Sequence, residues 1–127
     1  MFIEHFADGS DDCPLILLYG CEPEVVARLR HEVQLLAAGS VDRVAVHDIP
    51  GFVSVDGCRL FASVATWDSG TRPLSEPRTF ECCLRPLVWD NVEGLLESFT
   101  LASGSNGLQW LDNHGELQLL ISGHRGW

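Results

Sequence analysis

Two adjacent thiols, those of Cys82 and Cys83, are the side chains in this sequence best suited to nucleophilic, redox or metal-binding chemistry. They lie in an apolar stretch that predicts a strand over residues 79–87. Because neighbouring residues of a strand face opposite sides of a sheet, the two thiols cannot enter one metal site, and a disulfide between them would strain the backbone. Arg85 is the nearest cation, and the acidic residues around it oppose its effect on a thiol. The pattern favours two packing residues, one on each face of the sheet.

The cysteine count gives no sign of a disulfide framework. The number is odd, no CxxC pair is present, and the opening residues lack the basic and apolar regions of a secretory signal. The chain is therefore predicted to be cytoplasmic, with free thiols. The five cysteines are Cys13, Cys21, Cys58, Cys82 and Cys83.

The densest set of ionisable side chains is Asp112, His114 and Glu116. Their alternate spacing could place them on one face, where they could hold a metal ion. A tight turn with a solvated tip is the simpler interpretation, because Asp, Asn and Gly are typical turn residues. The sequence contains no HExxH segment and no His–Cys cluster at zinc spacing, so neither a metal nor another cofactor is predicted.

The C-terminal segment combines the side-chain types that dominate binding hot spots. Trp127 follows His124 and Arg125, and Trp110 and His114 precede them in the chain. Tryptophan and arginine supply much of the binding energy in protein interfaces. Trp127 either docks on its own domain, which the burial of a large ring favours, or faces a partner. These five residues are the predicted binding residues, and no catalytic residue is predicted.

A buried strand and a helix are predicted in the first third of the chain. Residues 1–12 are predicted to be loosely held, and the apolar run 13–19 is typical of a strand that is covered on both faces. A helix follows, since Pro23 suits its first turn and Gly39 suits its C-terminal cap. Its apolar residues recur every three or four positions, as one helical face requires. They are Val26, Leu29, Val33 and Leu36.

Turn residues divide the middle of the chain into strands. A strand is predicted over residues 42–49. Asp56 and Gly57 lie between two alternating runs, which predicts a two-residue type I′ hairpin. In that register Val55 faces Cys58, and Cys58 is a small buried residue.

A second helix and a second hairpin are predicted near the end. Residues 68–78 and 102–107 are interpreted as loops. Asp90 and Glu93 form a capping box that starts the helix, and Gly115 is expected in a left-handed bulge within a three-residue hairpin loop. The apolar face of the helix consists of Val92, Leu95, Leu96 and Phe99.

This order of elements predicts an α+β fold in a single domain over residues 1–127. We expect a mostly antiparallel sheet of five to seven strands with two helices packed on one of its faces. The apolar content of 46% and charged content of 20% are typical of a globular chain of 127 residues.

The charge distribution argues against several classes of function. The net charge is −10, and all eight basic residues are arginines, so a Schiff-base lysine and a P-loop lysine are excluded. The negative charge argues against nucleic acid and anionic membranes as partners. It would instead steer the chain toward another protein with a basic surface. Homo-oligomerisation, through an unpaired strand edge or through the exposed side of the hairpin sheet, is an alternative.

Several segments resemble those of small bacterial single-domain proteins of no assigned function. They are WDNVEGLLESF, GLQWLD, ELQLLISGHRGW and CPLILLYG. The resemblance implies a bacterial protein and implies no catalytic residue. Small acidic immunity proteins share the size and the charge.

Three hypotheses for function follow from the sequence. The first is a non-catalytic protein-binding module of the cytoplasm. An immunity-type inhibitor of a basic toxin is an alternative, because opposite charges speed association. The third is a small-ligand-binding protein or enzyme with a site near the last hairpin.

Overall fold

The computed structural model describes residues 1–101 and 107–127 and shows an α+β fold with two helices and two mixed sheets. The α+β class is confirmed, but one mostly antiparallel sheet of five to seven strands is only partly matched, because the strands divide into sheets of five and four. The loop predicted over residues 102–107 lies outside the described residues except for Gly107. The elements in chain order are β1 (Phe2–Phe6), β2 (Leu15–Tyr19), α1 (Pro23–Ala37), β3 (Arg43–Ala45), β4 (Val53–Ser54), β5 (Arg59–Val64), β6 (Gly70–Pro73), β7 (Thr79–Leu84), α2 (Pro86–Leu96), β8 (Leu108–Asp112) and β9 (Gln118–Ser122).

The five-stranded sheet has the order β4-β1-β2-β9-β8. β1 is antiparallel to β2 and β8 to β9, whereas β1 is parallel to β4 and β2 to β9. Every residue of β2 is buried, as predicted for a strand covered on both faces. The loosely held start predicted over residues 1–12 is wrong for β1, because this strand pairs on both sides and its Ile3 is fully buried.

The four-stranded sheet has the order β3-β5-β7-β6. β5 and β7 are parallel in its centre, and β3 and β6 are antiparallel edge strands. β6 lies inside the segment 68–78 that was predicted to be a loop. Pro73 lies at the end of this edge strand, where a residue without an N–H group is tolerated. The strand predicted over residues 42–49 is shorter, since β3 gives way to a 3₁₀ turn over Val46–Asp48.

The Asp56-Gly57 pair joins the two sheets instead of forming a hairpin. Both residues have positive φ, +53° and +73°, as the predicted type I′ turn requires. However, β4 before the turn belongs to the five-stranded sheet, and β5 after it belongs to the four-stranded sheet. Val55 lies in a 3₁₀ turn and does not face Cys58 across a ladder. The predicted burial of Cys58 is confirmed.

α1 is the element that the sequence predicts best. It begins at Pro23, and Gly39 follows its end with a φ of +73°. Its buried residues include all four predicted core positions. On its other side Arg30 Nε lies 2.5 Å from Glu93 Oε1, which also accepts a hydrogen bond from Gln34 at 3.0 Å. These contacts fasten α1 to α2.

α2 starts one turn earlier than predicted, at Pro86, so the capping box of Asp90 and Glu93 is wrong. Proline suits the first helical position because its missing N–H group would be unpaired there anyway. The chain before the helix is instead held by Asp68, whose carboxylate accepts hydrogen bonds from the Arg85 backbone N–H (2.9 Å) and Nε (3.0 Å).

One apolar core lies between the two sheets and the two helices. The inward side of the five-stranded sheet contributes Ile16 and Ile121, and the inward side of the four-stranded sheet contributes Leu60 and Cys82. Trp89 of α2 is buried at the centre, and its indole N–H donates to the Ser63 carbonyl at 2.9 Å. The outer face of the five-stranded sheet holds a second, smaller buried cluster, formed by Leu15, Leu17, Tyr19 and Leu120.

Candidate functional site

The outer face of the five-stranded sheet carries apolar side chains in two rows that cross neighbouring strands. In the first row Phe2 lies beside Tyr19, with ring centroids 5.2 Å apart. The second row passes through Leu17 and Leu120, which are fully buried. We call this surface the apolar face. Its members are Phe2, Leu17, Tyr19, Val53, Leu108, Trp110 and Leu120.

The apolar face is exposed at its two edges. Val53 and Phe2 are 52% and 40% exposed on one side, and Leu108 and Trp110 are 38% and 37% exposed on the other. Single exposed apolar residues are ordinary on a protein surface, but a contiguous set on one sheet face is typical of a binding surface. The two exposed edges are therefore candidate contact surfaces, whereas the centre between them is buried.

The C-terminal tail, residues 123–127, folds back toward this sheet through an ion pair. Arg125 donates two hydrogen bonds to Glu4, from Nε to Oε1 at 3.1 Å and from Nη2 to Oε2 at 2.9 Å. The Tyr19 hydroxyl donates to Glu4 Oε1 at 2.8 Å. The carboxylate of Glu4 thus has three donors at the edge of the apolar face.

Two ring contacts extend the attachment of the tail. The Arg125 guanidinium lies 5.0 Å from the centroid of the Phe6 ring, and Trp127 meets the same ring edge-on at 4.8 Å. The Trp127 indole N–H donates to Ser10 Oγ at 2.8 Å. Trp127 therefore docks on its own chain, although 37% of it stays accessible.

Acid is expected to release this tail. The hydrogen bonds from Arg125 lower the pKa of Glu4, Tyr19 acts in the same direction, and burial opposes them. Since the pKa is lower in the folded protein, the stabilisation is present above the pKa of an unfolded-state glutamate. It is lost as the pH falls through the folded-state value. The Trp127 indole N–H resonance in NMR spectra should shift with a midpoint below that of an ordinary glutamate.

A Glu4→Gln variant provides the control for this titration. It should abolish the acidic shift of the Trp127 resonance, whereas Glu76→Gln, in an ion pair with Arg59 elsewhere, should leave it in place. An unchanged resonance until the whole protein unfolds would contradict the role of the Arg125–Glu4 pair.

A hollow of about 310 Å³ lies between α2 and the β8–β9 hairpin. A bulge between Trp110 and Asp112 shifts the register, so that Asp112 pairs with the core residue Leu119 and is buried. The bulge thus turns a carboxylate toward the interior beside the hollow. The lining includes Val88, Asn91, Trp110, Asp112, Asn113 and His114.

Asp112 and His114 form a hydrogen-bonded pair in this hollow. His114 Nδ1 lies 2.5 Å from Asp112 Oδ1, and the His114 backbone N–H donates to Oδ2 at 3.3 Å. Because a carboxylate only accepts hydrogen bonds, Nδ1 carries the proton. The carboxyl side chain is 1% exposed and the imidazole 47% exposed. Nε2 makes no hydrogen bond to any residue in the described ranges.

Charged neighbours shift the titration of this imidazole. The hydrogen bond with Asp112 is the main cause that raises the pKa of His114, and the charge of Asp68 acts in the same direction. Desolvation and the charge of Arg85 oppose it. The pKa of His114 therefore lies above the value for a free histidine side chain.

The tip of the hairpin lies against β6, where Gly70 and Gly115 allow the two backbones to approach closely. The predicted three-residue loop is wrong, since β8 ends at Asp112 and β9 begins at Gln118, and Gly115 has no positive φ. A Cβ atom at Gly115 would instead lie closer than 3.0 Å to the backbone of Thr71. Glycine is needed here for close approach of two backbones.

The cysteines take packing positions. Cys82 is fully buried in the core, and Cys83 lies on the opposite face beside Glu81, so the prediction of opposite faces is confirmed. Burial raises the pKa of both thiols, and it raises the pKa of Cys58 to about 12 and of Cys21 to about 11. All five cysteines are free. The four thiols whose pKa is raised, those of Cys21, Cys58, Cys82 and Cys83, are poor nucleophiles at neutral pH.

The predicted binding residues divide between two places. Trp110 and His114 line the hollow, and Trp110 also belongs to the apolar face. Arg125 and Trp127 hold the tail against Glu4 and Phe6, whereas the backbone N–H of the exposed His124 donates to Ser122 Oγ. The structure thus brings together two pairs and not one site of five residues.

Sequence reasoning missed the N-terminal half of the apolar face. The alternation in Phe2, Glu4 and Phe6 was a readable period of two. Val53 lay in the alternating run before Asp56, but that run was assigned to a hairpin facing Leu60, whereas β4 pairs with β1. Asn91 was missed because the helix was predicted to start beside it.

No protein-family model, curated protein or solved structure matches this chain. Within residues 1–101 and 107–127, no three or more His, Cys, Asp or Glu side chains are arranged to hold a metal ion. The same residues contain no helix of sufficient length and apolarity to cross a membrane.

Proposed function

We propose that this protein is a protein-binding module that holds a basic partner through the apolar face. The observation that carries the proposal is the exposure of apolar side chains at both edges of this face, Val53 and Phe2 on one side and Leu108 and Trp110 on the other. Leu17 and Leu120 between the two edges are fully buried, so the edges are the parts that a partner would contact. These side chains lie on hydrogen-bonded strands, so their positions are largely fixed before a partner binds. The entropic cost of binding is therefore small.

The charge around this face supports a basic partner. The loop between β1 and β2 carries three exposed carboxylates beside the docked Trp127 side chain. In the part of the chain that the structure describes, none of them has an ion-pair partner. A partner with Lys or Arg side chains around an apolar centre would complement this arrangement. The three residues are Asp8, Asp11 and Asp12.

The net charge distinguishes this partner from a second copy. Two chains of net charge −10 repel each other, whereas a basic protein is attracted and associates faster. A basic toxin inhibited by this chain would be one instance of such a partner.

A pair of model peptides tests the proposal. An alternating Leu–Lys peptide presents one apolar and one basic face, and an alternating Leu–Glu peptide is its acidic match. We expect fluorescence anisotropy to show binding of the Leu–Lys peptide, weakened by salt. Leu108→Ser should lower the affinity by about tenfold.

Leu87→Ser is the matched control, because Leu87 is 67% exposed at the start of α2 and lies off the apolar face. It should leave the peptide affinity unchanged. Equal binding of both peptides, or an equal loss in both variants, would contradict the proposal. A dimer in light scattering that Leu108→Ser dissociates would assign the face to a second copy and would also contradict it.

A further inference from the structure

We propose that Asp112 and His114 form a general acid–base pair that hydrolyses small neutral carboxylic esters in the hollow between α2 and the last hairpin. This activity does not depend on the binding of a basic protein, because it rests on the Asp112–His114 pair and not on the apolar face. It would add a catalytic role to residues for which the sequence predicted none.

The geometry of the pair is the first support. A buried carboxylate fixes Nδ1 of an exposed imidazole at 2.5 Å, and the second carboxylate oxygen holds the backbone of the same residue. The ring of His114 is thereby held in one tautomer, with the lone pair on Nε2. In triad-type hydrolytic sites a carboxylate holds the other nitrogen of the imidazole in the same way, so that the ring is oriented to act as a general base.

The hollow supplies the second support. Its volume of about 310 Å³ is at the lower end of the range for small-ligand sites. Val88 and Trp110 give it apolar walls, and the side-chain amides of Asn91 and Asn113 supply N–H donors. Amide donors can stabilise the negative charge that develops on a carbonyl oxygen during acyl transfer.

The residue types around the hollow determine the nucleophile and the substrate charge. The described lining contains no Ser, Thr or Cys side chain, so the nucleophile is water. Asp112 and the nearby Asp68 oppose the entry of an anion, and the charge of Arg85 balances them in part. A neutral ester with a small acyl group fits these conditions.

The proton transfers in this reaction balance. Nε2 of His114 removes a proton from water as the water oxygen forms a bond to the carbonyl carbon. The bond between that carbon and the alkoxy oxygen then breaks, and Nε2 returns the proton to the leaving oxygen. The products are a carboxylic acid and an alcohol, and Asp112 stabilises the imidazolium between the two transfers.

Hydrolysis of 4-nitrophenyl acetate, followed by the absorbance of nitrophenolate, tests this inference on the intact protein. We expect a rate that saturates with ester and rises with pH in one step as His114 loses its proton. His114→Gln should lower the rate at least about tenfold. His31→Gln removes another exposed histidine, on α1, and should leave the rate unchanged.

Asp112→Asn separates a catalytic role from a structural one. Losing the carboxylate removes the main cause that raises the pKa of His114, so the inflection of the pH–rate profile should move to lower pH. Asp68 and Arg85, which face His114 from the β5–β6 loop and from the start of α2, remain in place. Circular dichroism at the assay temperature confirms that each variant is folded.

Three results would overturn the inference. One is a His114→Gln variant that hydrolyses the ester at the rate of the unmodified protein. Another is an equal loss in His31→Gln, which would mean that surface imidazoles act without a site. The third is an acetyl group trapped on His114 in mass spectra, because water would then not be the attacking group.

Discussion

Replacing Gly115 with alanine is expected to lower the free energy of unfolding by about 3 kcal/mol. The added Cβ would lie closer than 3.0 Å to the backbone N and O of Thr71 and 2.8 Å from the Gly70 carbonyl carbon. Backbone atoms cannot move aside as a flexible side chain can, so the hairpin and β6 must separate. That separation would also break the hydrogen bond from the Leu117 N–H to the Thr71 carbonyl, at 3.1 Å.

Gly94→Ala is the matched control for this measurement. Gly94 lies inside α2, and a Cβ there would meet no atom within 4 Å. Alanine favours a helix interior over glycine by about 1 kcal/mol, so this variant should be more stable. Urea unfolding at equilibrium measures both changes. If the two substitutions change stability in the same direction, the close approach of Gly115 to β6 is not what holds the hairpin tip.

Trp89→Ala is expected to lower the free energy of unfolding by about 4 kcal/mol, because it leaves a large cavity in the core. Trp89 is 2% exposed, and its indole N–H donates to the Ser63 carbonyl of β5 at 2.9 Å. The ring therefore joins α2 to the four-stranded sheet through packing and one buried hydrogen bond. Trp89→Phe keeps most of the packing and should cost about 1–3 kcal/mol, mainly for the unpaired carbonyl.

Trp67→Ala removes a ring of the same size from the surface. Trp67 is 68% exposed, so the substitution should change stability by less than about 0.5 kcal/mol. Thermal unfolding followed by circular dichroism compares the three variants. Similar losses for the alanine substitutions at Trp89 and Trp67 would contradict the central position of Trp89 in the core.

Local patterns in the sequence were sufficient for the elements that depend on neighbouring residues. The period of α1, its proline at the start and its glycine after the end predicted that helix correctly. The apolar run before it correctly predicted a strand buried on both faces. The positive φ angles of Asp56 and Gly57 were also predicted correctly, because they follow from the turn residues themselves.

Pairing between distant segments was not predictable in the same way. Asp56 and Gly57 form the expected turn, but the strands beside them find partners in different sheets. The residue before α2, Arg85, is held by Asp68, which lies before β6 and far from the helix in the sequence. The nearer Asp90 and Glu93 therefore gave the wrong start. Residues within a turn predict the conformation of that turn. They do not predict with which strands the flanking segments pair.

The candidate sites show the same division. The sequence placed Asp112 and His114 in one turn, and the structure confirms that they are close. The bulge that buries Asp112 had no counterpart in the sequence pattern. The Arg125–Glu4 pair joins opposite ends of the chain, so spacing gave no indication of it.

The position of β9 beside β2, the middle strand of its sheet, has a consequence for biosynthesis. Leu15 of β2 pairs with Gln118 of β9. β2 is therefore synthesised about a hundred residues before the strand with which it pairs. During translation, the apolar surface of β2 remains without its parallel neighbour until β9 has left the ribosome. Contacts between residues so far apart in the sequence slow folding. Apolar surface that stays exposed before folding is complete promotes aggregation of nascent chains. We therefore expect a polypeptide that stops before Gln118 to need a chaperone to stay dispersed.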